Sequence, residues 1–494
     1  MRRNLLFYVA VLAVFGAGIY FMLNLGARLQ SGGAVSEKRI ESAPVSSPRQ
    51  PPEAEATSLS RAGALRENLR SPLSILLLQV IVIIVAARAV GSLFLKMGQP
   101  AVIGEMVAGI ILGPSLLGML SPGAQAFLFP ASSLDSLKLL SQLGVILFMF
   151  VVGIDLNVRH LCQKAHAAVL VSHASIVVPF FLGVTFSLLI YPSMAPPHIS
   201  FSAFALFIGV AMSITAFPVL ARIVEERGLY KTYLGSTAIA CAAVDDVTAW
   251  CILAVVVAIV KADGLSGSLL TIFLSLLFVG AMLFLLKPQA ERLMSARGEN
   301  GSGCKGVAAW VLSFMFVSAL LTEVIGIHAL FGAFLAGVVM PSHADLRNFL
   351  RERLETFSSA FLLPLFFAFT GLRTQVGLLD DWQSWAVCAG VVAVAIAGKL
   401  GGSMLAGRWT GMSWRDSFSV GVLMNTRGLI ELIVLNLGYD LGILTPRVFA
   451  MMVLMALTTT FMTGPLLALA ELRGRRRAML PAEAGVAALA FKER

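Results

Sequence analysis

The sequence predicts an all-α polytopic membrane protein, and three observations lead there. Of its 494 residues, 58% are hydrophobic and only 13% are charged, too apolar a balance for ordinary soluble domains. The apolar residues also gather into runs of roughly twenty, the length a helix needs to cross a bilayer. Finally, the basic residues are shared very unevenly among the loops between those runs.

The chain opens with MRRNLLFYVAVLAVFGAGIYFML, a basic start and a long apolar run, so residues 1–29 read as a signal anchor or a signal peptide. Residues 30–71 are rich in Ser, Pro, Glu and Arg. They lack the apolar content to fold and are expected to form a flexible extracytoplasmic linker. A membrane domain over 72–472 follows, and residues 473–494 form a short cytoplasmic tail. Thirteen core spans are expected, beginning near residues 72, 99, 136, 163, 201, 232, 267, 305, 325, 356, 383, 416 and 446, in addition to the N-terminal helix.

Loops after odd-numbered spans carry Lys96, Arg159, Lys164, Arg222, Arg227, Lys231, Lys287, Arg292, Arg297, Lys305, Arg347, Arg351, Arg353, Arg408 and Arg415, and the cluster Arg473, Arg475, Arg476 and Arg477 ends the series. Loops after even-numbered spans offer little beyond Lys261, Arg373 and Arg447. The positive-inside rule then puts the first set, and the C-terminus, in the cytoplasm. The formal charge of +10 is dispersed over these loops, so no nucleic-acid partner is expected. Five cysteines show no CxxC spacing and read as core residues rather than a disulfide or zinc framework.

Thirteen spans divide as six, one and six. The odd count between them gives the two sixes opposite orientation, the arrangement of inverted-repeat transporters. The fifth member of each six is interrupted. Span five contains SITAFPVLARIV, with Ser213, Thr215 and Pro218; span twelve contains NTRGLIEL, with Asn425, Thr426, Arg427, Gly428 and Glu431. A lone proline is ordinarily a simple kink. Paired interruptions in corresponding spans instead point to a transport site, where freed carbonyls and helix ends offer partial charges to an ion.

Asp245 and Asp246 lie in the sixth span, within the apolar run 233–260. A carboxylate near mid-membrane costs several kcal/mol unless it is paired, solvated or protonated. Consecutive helical residues point about 100° apart, so the two can face different neighbours. Carboxylates this close oppose each other's ionisation, and a lysine favours the ionised form of the acid it touches.

Other polar residues have plainer readings beside the functional ones. Arg427 and Glu431 are four apart on a helix, and a structural ion pair is the default. Lys399 stands about sixteen residues into span eleven, where it is either a partner for an acid or a snorkelling side chain. Glu105 in span two is either a secondary carboxylate on the cation path or merely interfacial. His328, near Glu323, reads as a polar loop residue. Glycines at 104, 109, 113 and 118 suit close packing between membrane helices.

Together QPAVIGEMVAGIILGPSLLG, LGVILFMFVVGIDL, SITAFPVLARIV, AAVDDVTAW, EVIGIHALFGAFLAGVVMP, PLFFAFTGLRT and NTRGLIELIVLNLG resemble the monovalent cation:proton antiporter-2 family. The likeness is greatest to its plant and fungal cation/H⁺ exchangers (CHX and Kha type) and their bacterial and Kef-type relatives, and runs from Leu73 to Ala470. It implies an NhaA-like antiporter fold with inverted repeats of six helices, a dimerisation panel, a mobile core and two crossing broken helices. It also implies roles: Asp246 binds cation and proton alternately, Lys399 pairs with Asp245, and Thr215 and Pro218 fall in a helix break. The regulatory domain that Kef-type relatives carry is expected to be absent.

The expected function is secondary-active exchange of a monovalent cation, Na⁺ or K⁺, for protons by alternating access. A K⁺-selective efflux channel or a non-transporting sensor on the same fold is the alternative. Expected partners are the transported cation and protons, the lipid bilayer of a bacterial inner membrane, and a second copy in a homodimer. No cofactor is expected. No Ser/His/Asp or His-rich metal constellation suggests an enzyme.

Overall fold

The computed structural model describes residues 2–31, 68, 71–155, 165–229, 232–261, 265–296, 304–341 and 344–490. Every regular element among them is helical. Ten helices are long and apolar enough to cross a membrane, and a pair bent by 43° at a short break makes an eleventh. The helices Phe201–Ser213 and Ala329–Val339 are equally apolar but shorter. Most of the expected linker lies outside the described residues.

One group of helices packs through very close backbone approaches. It contains α2 (Pro72–Lys96), α3 (Ala101–Leu112), α4 (Ala131–Asp155), α10 (Cys304–Ile325), α11 (Ala329–Val339) and α12 (Leu363–Arg373). Here α3 lies against α2 and α12, while α11 lies against α4 and α10. Gly109 and Gly371 explain the α3–α12 approach. A Cβ on Gly109 would stand 2.6 Å from the Ala368 Cα, and one on Gly371 2.6 Å from the Gly109 Cα. Without side chains there, the helices pack backbone to backbone, the means by which membrane helices associate without a hydrophobic driving force.

A second group is built on α5 (Ala165–Met194). Against it pack α6 (Phe201–Ser213), α8 (Tyr233–Lys261) and α13 (Trp382–Trp409), the last containing a π-helical turn at Ala397–Gly401. The helices α7 (Phe217–Glu226), α14 (Trp414–Met424), α15 (Leu429–Asp440) and α16 (Pro446–Ala490) complete this group. Between the groups in sequence lies α9 (Leu265–Gly280), continued by a π-helical stretch at Ala281–Leu286. The N-terminal helix α1 (Arg2–Ser31) packs on α5 and α6. Its Phe15 ring meets Phe181 edge-on at 5.3 Å between centroids.

Three expectations need adjusting. The tenth span does not begin near 356, because an amphipathic helix, Ala344–Phe357, runs into it through a π-helical turn at Ser358–Leu362. Its sequence, ADLRNFLRERLETF, is too charged to read as part of an apolar run. The helix that forms the last span does not end near 472 but continues to Ala490, while its apolar, span-length part is Pro446–Ala470. Among the cysteines, Cys241 and Cys388 are buried as expected but Cys251 faces outward; Cys162 lies outside the described residues.

Gly371→Val is expected to force α12 away from α3 and destabilise the fold by about 1–3 kcal/mol, the usual scale of overpacking. Thermal unfolding of the detergent-solubilised protein should show a lower midpoint, and an unchanged midpoint would contradict the contact.

Candidate functional site

Two spans stop in the middle of the protein and restart. The first stops at Ser213, runs extended through Ile214, Thr215 and Ala216, and resumes at Phe217. Pro218 was expected to break this span from within. It sits instead in the first turn of α7, where a proline is tolerated because its missing N–H would have no helical partner. The second span stops at Met424 and resumes at Leu429.

The two breaks cross in contact. The Ala216 backbone N–H donates to the Thr426 carbonyl at 3.0 Å, and the Thr215 hydroxyl donates to the Met424 carbonyl at 3.1 Å. Gly428 permits this approach, since a Cβ there would lie 2.8 Å from Val219 Cγ2 and 3.2 Å from Ala216 Cβ. The last helix holds the second break from behind. Thr460 Oγ1 accepts from the Arg427 N–H at 3.0 Å and donates to the Arg427 carbonyl at 2.8 Å, and Thr426 meets Thr463 at 3.5 Å. The Asn425 amide contacts the Met462 sulfur at 3.8 Å.

A helix ending in the membrane leaves its last carbonyls without intrahelical partners. At the end of α6 three successive carbonyls are taken by two buried cations. Arg427 donates to Ala211 at 2.9 Å and to Met212 at 2.6 Å, and Lys399 donates to Ser213. Positive charge is favoured at a helix C-terminus, so the caps also oppose the half-helix dipole. The Ser213 hydroxyl turns back to the Gly209 carbonyl within α6.

The two cations also reach acids. Lys399 Nζ pairs with Asp245 Oδ2 at 2.9 Å, and both side chains are fully buried, so Lys399 does not extend to the headgroups. Asp245 Oδ1 accepts from the Ser175 hydroxyl of α5 at 2.9 Å. Arg427 and Glu431 approach at 3.5 Å, both fully buried, but not by the helical spacing expected, since Arg427 lies in the break before α15 and only Glu431 is on the helix. That distance is long for a hydrogen bond, and neither Glu431 oxygen accepts one.

Asp246 faces elsewhere. It meets the Phe217 backbone N–H at the start of α7, where alanine at the N-cap position supplies no capping side chain. Its Oδ1 is buried and accepts no hydrogen bond among the described residues. A carboxylate at a helix N-terminus is favoured by the free N–H groups and the dipole.

Asp245, Lys399, Ser213, Arg427 and Glu431 therefore form one connected cluster, with Thr215 and Asp246 at the crossing. Glu105 is buried in α3, on the side where α3 packs against α2, away from the residues joined at the crossing. His328 and Glu323 cap α11: His328 is its N-cap, at φ 92°, and Glu323 accepts from the Ala329 N–H at 2.8 Å. Sequence reasoning missed Ser175 and Thr460. Each is a hydroxyl residue in an apolar span, a signal too common to single out.

Residues 64–469 match the transmembrane sodium/hydrogen exchanger family. The chain belongs to that family. Among related exchangers, it is 45% identical over 395 residues to the Na(+)/H(+) antiporter NhaS4 of Synechocystis, spanning 80% of this chain and 96% of that one. It is 33% identical over 418 residues to K(+)/H(+) antiporter 1 of Saccharomyces cerevisiae, spanning 83% of this chain but only 48% of that protein. The fold resembles the solved structure of the sodium proton antiporter MjNhaP1 from Methanocaldococcus jannaschii, with a TM-score of 0.58 and 14% identity over 82% of this chain and 98% of that one. Like its relatives, this exchanger-family chain is a multi-pass membrane protein.

Arg427→Met should leave Glu431 buried without a counter-charge and two α6 carbonyls uncapped, costing about 3–5 kcal/mol, the scale for breaking a buried pair. The double change Arg427→Met/Glu431→Leu should recover part of that loss in thermal unfolding. Equal midpoints for the wild type and the single variant would remove the structural role given to this pair.

Proposed function

We propose that the protein is a secondary-active antiporter that exchanges a monovalent cation, Na⁺ or K⁺, for protons by alternating access, with cation and proton competing for Asp246. The observation that carries the reading is a charge imbalance. Among the described residues at the crossing, three buried carboxylates, Asp245, Asp246 and Glu431, face two buried cations, Lys399 and Arg427. Asp245 and Glu431 each have a cation beside them. Asp246 does not, and its ionised form is balanced by one bound monovalent cation or removed by one proton, but not by both together. Competition for one negative charge is the coupling an exchanger needs.

The chemistry around Asp246 suits a hard cation, which takes oxygen ligands. Asp246 Oδ1 has spare accepting capacity, and Thr215 stands in the adjoining break with oxygen lone pairs beyond the proton it donates. Asp245 stays bound to Lys399 and Ser175 and sets the field in which Asp246 exchanges its proton. Ser213, Pro218, Asn425, Thr426, Arg427, Gly428 and Glu431 shape and hold the crossing. Related proteins bear both Na⁺/H⁺ and K⁺/H⁺ antiporter names, in keeping with a monovalent cargo.

The two broken spans hold the fifth places of two sets of six separated by the span at α9. This supports inverted repeats of six helices, thirteen core spans in all. In the cycle, the group built on α5 moves against the group built on α3 and α12, which serves as the panel for a homodimer. The loop charges support a cytoplasmic C-terminus, and the likeness to the Synechocystis antiporter is in keeping with a bacterial inner membrane.

In everted vesicles carrying the wild-type protein, adding Na⁺, K⁺ or Li⁺ should move protons, read by an internal pH dye, and the effective ions identify the cargo. Asp246→Asn should abolish that flux for every ion while the protein remains folded and inserted. Persisting cation-driven proton movement in this variant would sink the assignment.

A further inference from the structure

A cleft of about 550 Å³ lies between α8, α9 with its π-helical continuation, and α11. Its walls are almost wholly apolar. The few hydroxyls on them are already used inside their own helices: Thr248 donates to the Val244 carbonyl at 2.9 Å and Ser275 to the Thr271 carbonyl at 2.6 Å. Water held in a buried space needs two to four polar partners, and these walls do not supply them. The occupant must be apolar.

The cleft also opens sideways. Cys251 and Val255 of α8 and Leu276 and Val279 of α9 line it, yet all four are exposed on the outer surface of the protein. That surface belongs to membrane-crossing segments, so what reaches the cleft from the side is the hydrocarbon of the bilayer. At one limit of the cleft stands Lys287, the first residue after the π-helical stretch, with Arg292 one turn further along the same helix. A lysine at the end of an otherwise apolar slot gives it the two-part character of a phospholipid, charge at the head and hydrocarbon behind. Deep in the slot, the Trp250 ring packs edge-on against Phe331 at 4.9 Å, and its indole N–H has no partner among the described residues.

We infer that this cleft is a binding site for one anionic phospholipid of the surrounding bilayer, its acyl chain lying between α8 and the α9–α11 wall and its phosphate beside Lys287. The lipid would pack against the same helix that carries Asp245 and Asp246, the latter four residues before Trp250. Occupancy itself does not depend on the exchange reading and is measured without transport. Should Asp246→Asn leave cation-driven flux intact, the lipid site would be untouched by that result.

The test is native mass spectrometry of the full chain, extracted from a membrane and re-equilibrated with phosphatidylglycerol or phosphatidylcholine. The wild type is expected to retain one phosphatidylglycerol per chain through delipidation. Ala254→Phe and Val279→Phe, which fill the slot, should each lower retention by about tenfold or more, a difference of roughly 1.4 kcal/mol in binding. Lys287→Gln leaves the apolar walls of the slot unchanged and should bind both lipids alike, losing the preference for the anionic headgroup. Quenching of tryptophan fluorescence by phospholipid brominated on the acyl chain supplies a second readout, and Trp250→Phe should remove part of it. The inference is overturned if the wild type retains no lipid, if it retains free fatty acid in place of phospholipid, if the filled variants hold lipid as the wild type does, or if Lys287→Gln keeps the full preference.

Discussion

The structure depends on how a helix can end inside a membrane. The last carbonyls of α6 have no intrahelical partners, and lipid offers none, so each would carry an uncompensated desolvation cost. Arg427 and Lys399 satisfy the carbonyls of Ala211, Met212 and Ser213. Solving that problem with cations creates another, because two buried positive charges require acids beside them. Asp245 and Glu431 answer this second requirement. The break in one span, the break in the other, and two of the three acids buried around the crossing are therefore a single electrostatic unit.

Within that unit, Asp246 differs from its neighbour because of helix geometry. One residue along α8 rotates the side chain by about 100°. Asp245 turns toward α5 and α13, where Ser175 and Lys399 occupy both of its oxygens. Asp246 turns toward the start of α7, where it meets a backbone N–H instead of a cation. One carboxylate is held in place while the next keeps a free lone pair. The division of labour follows from their adjacency, since two acids a full turn apart would have faced the same neighbour.

The crossing is held by weak, numerous contacts rather than by one strong one. Backbone and hydroxyl hydrogen bonds join Thr215 and Ala216 to Met424 and Thr426, while Thr460 and Thr463 brace the second break from α16. Gly428 makes the distance between the breaks short enough for these bonds to form. Thus the last helix belongs to the site mechanically, through hydroxyl groups.

By itself the sequence determined what lipid forbids. Apolar runs of span length require helices, because only a helix satisfies its own backbone in hydrocarbon. Asp245, Asp246, Lys399, Arg427 and Glu431 were legible as a site because no lipid-facing position tolerates them, whereas the pairing of Arg427 with Glu431 comes from the break that holds Arg427 beside α15 and not from helical spacing. Tertiary structure alone decided the rest. It placed the break before Pro218, over Ile214–Ala216, where the crossing with Thr426 and the cationic caps take up the backbone groups that the interrupted helix leaves. It chose Ser175 for Asp245 and Thr460 for Arg427 from many similar hydroxyl residues. Those partners stand tens of residues apart, and no local periodicity carries information across that separation. Only the packing of α5, α8, α13 and α16 around two interrupted helices brings them together.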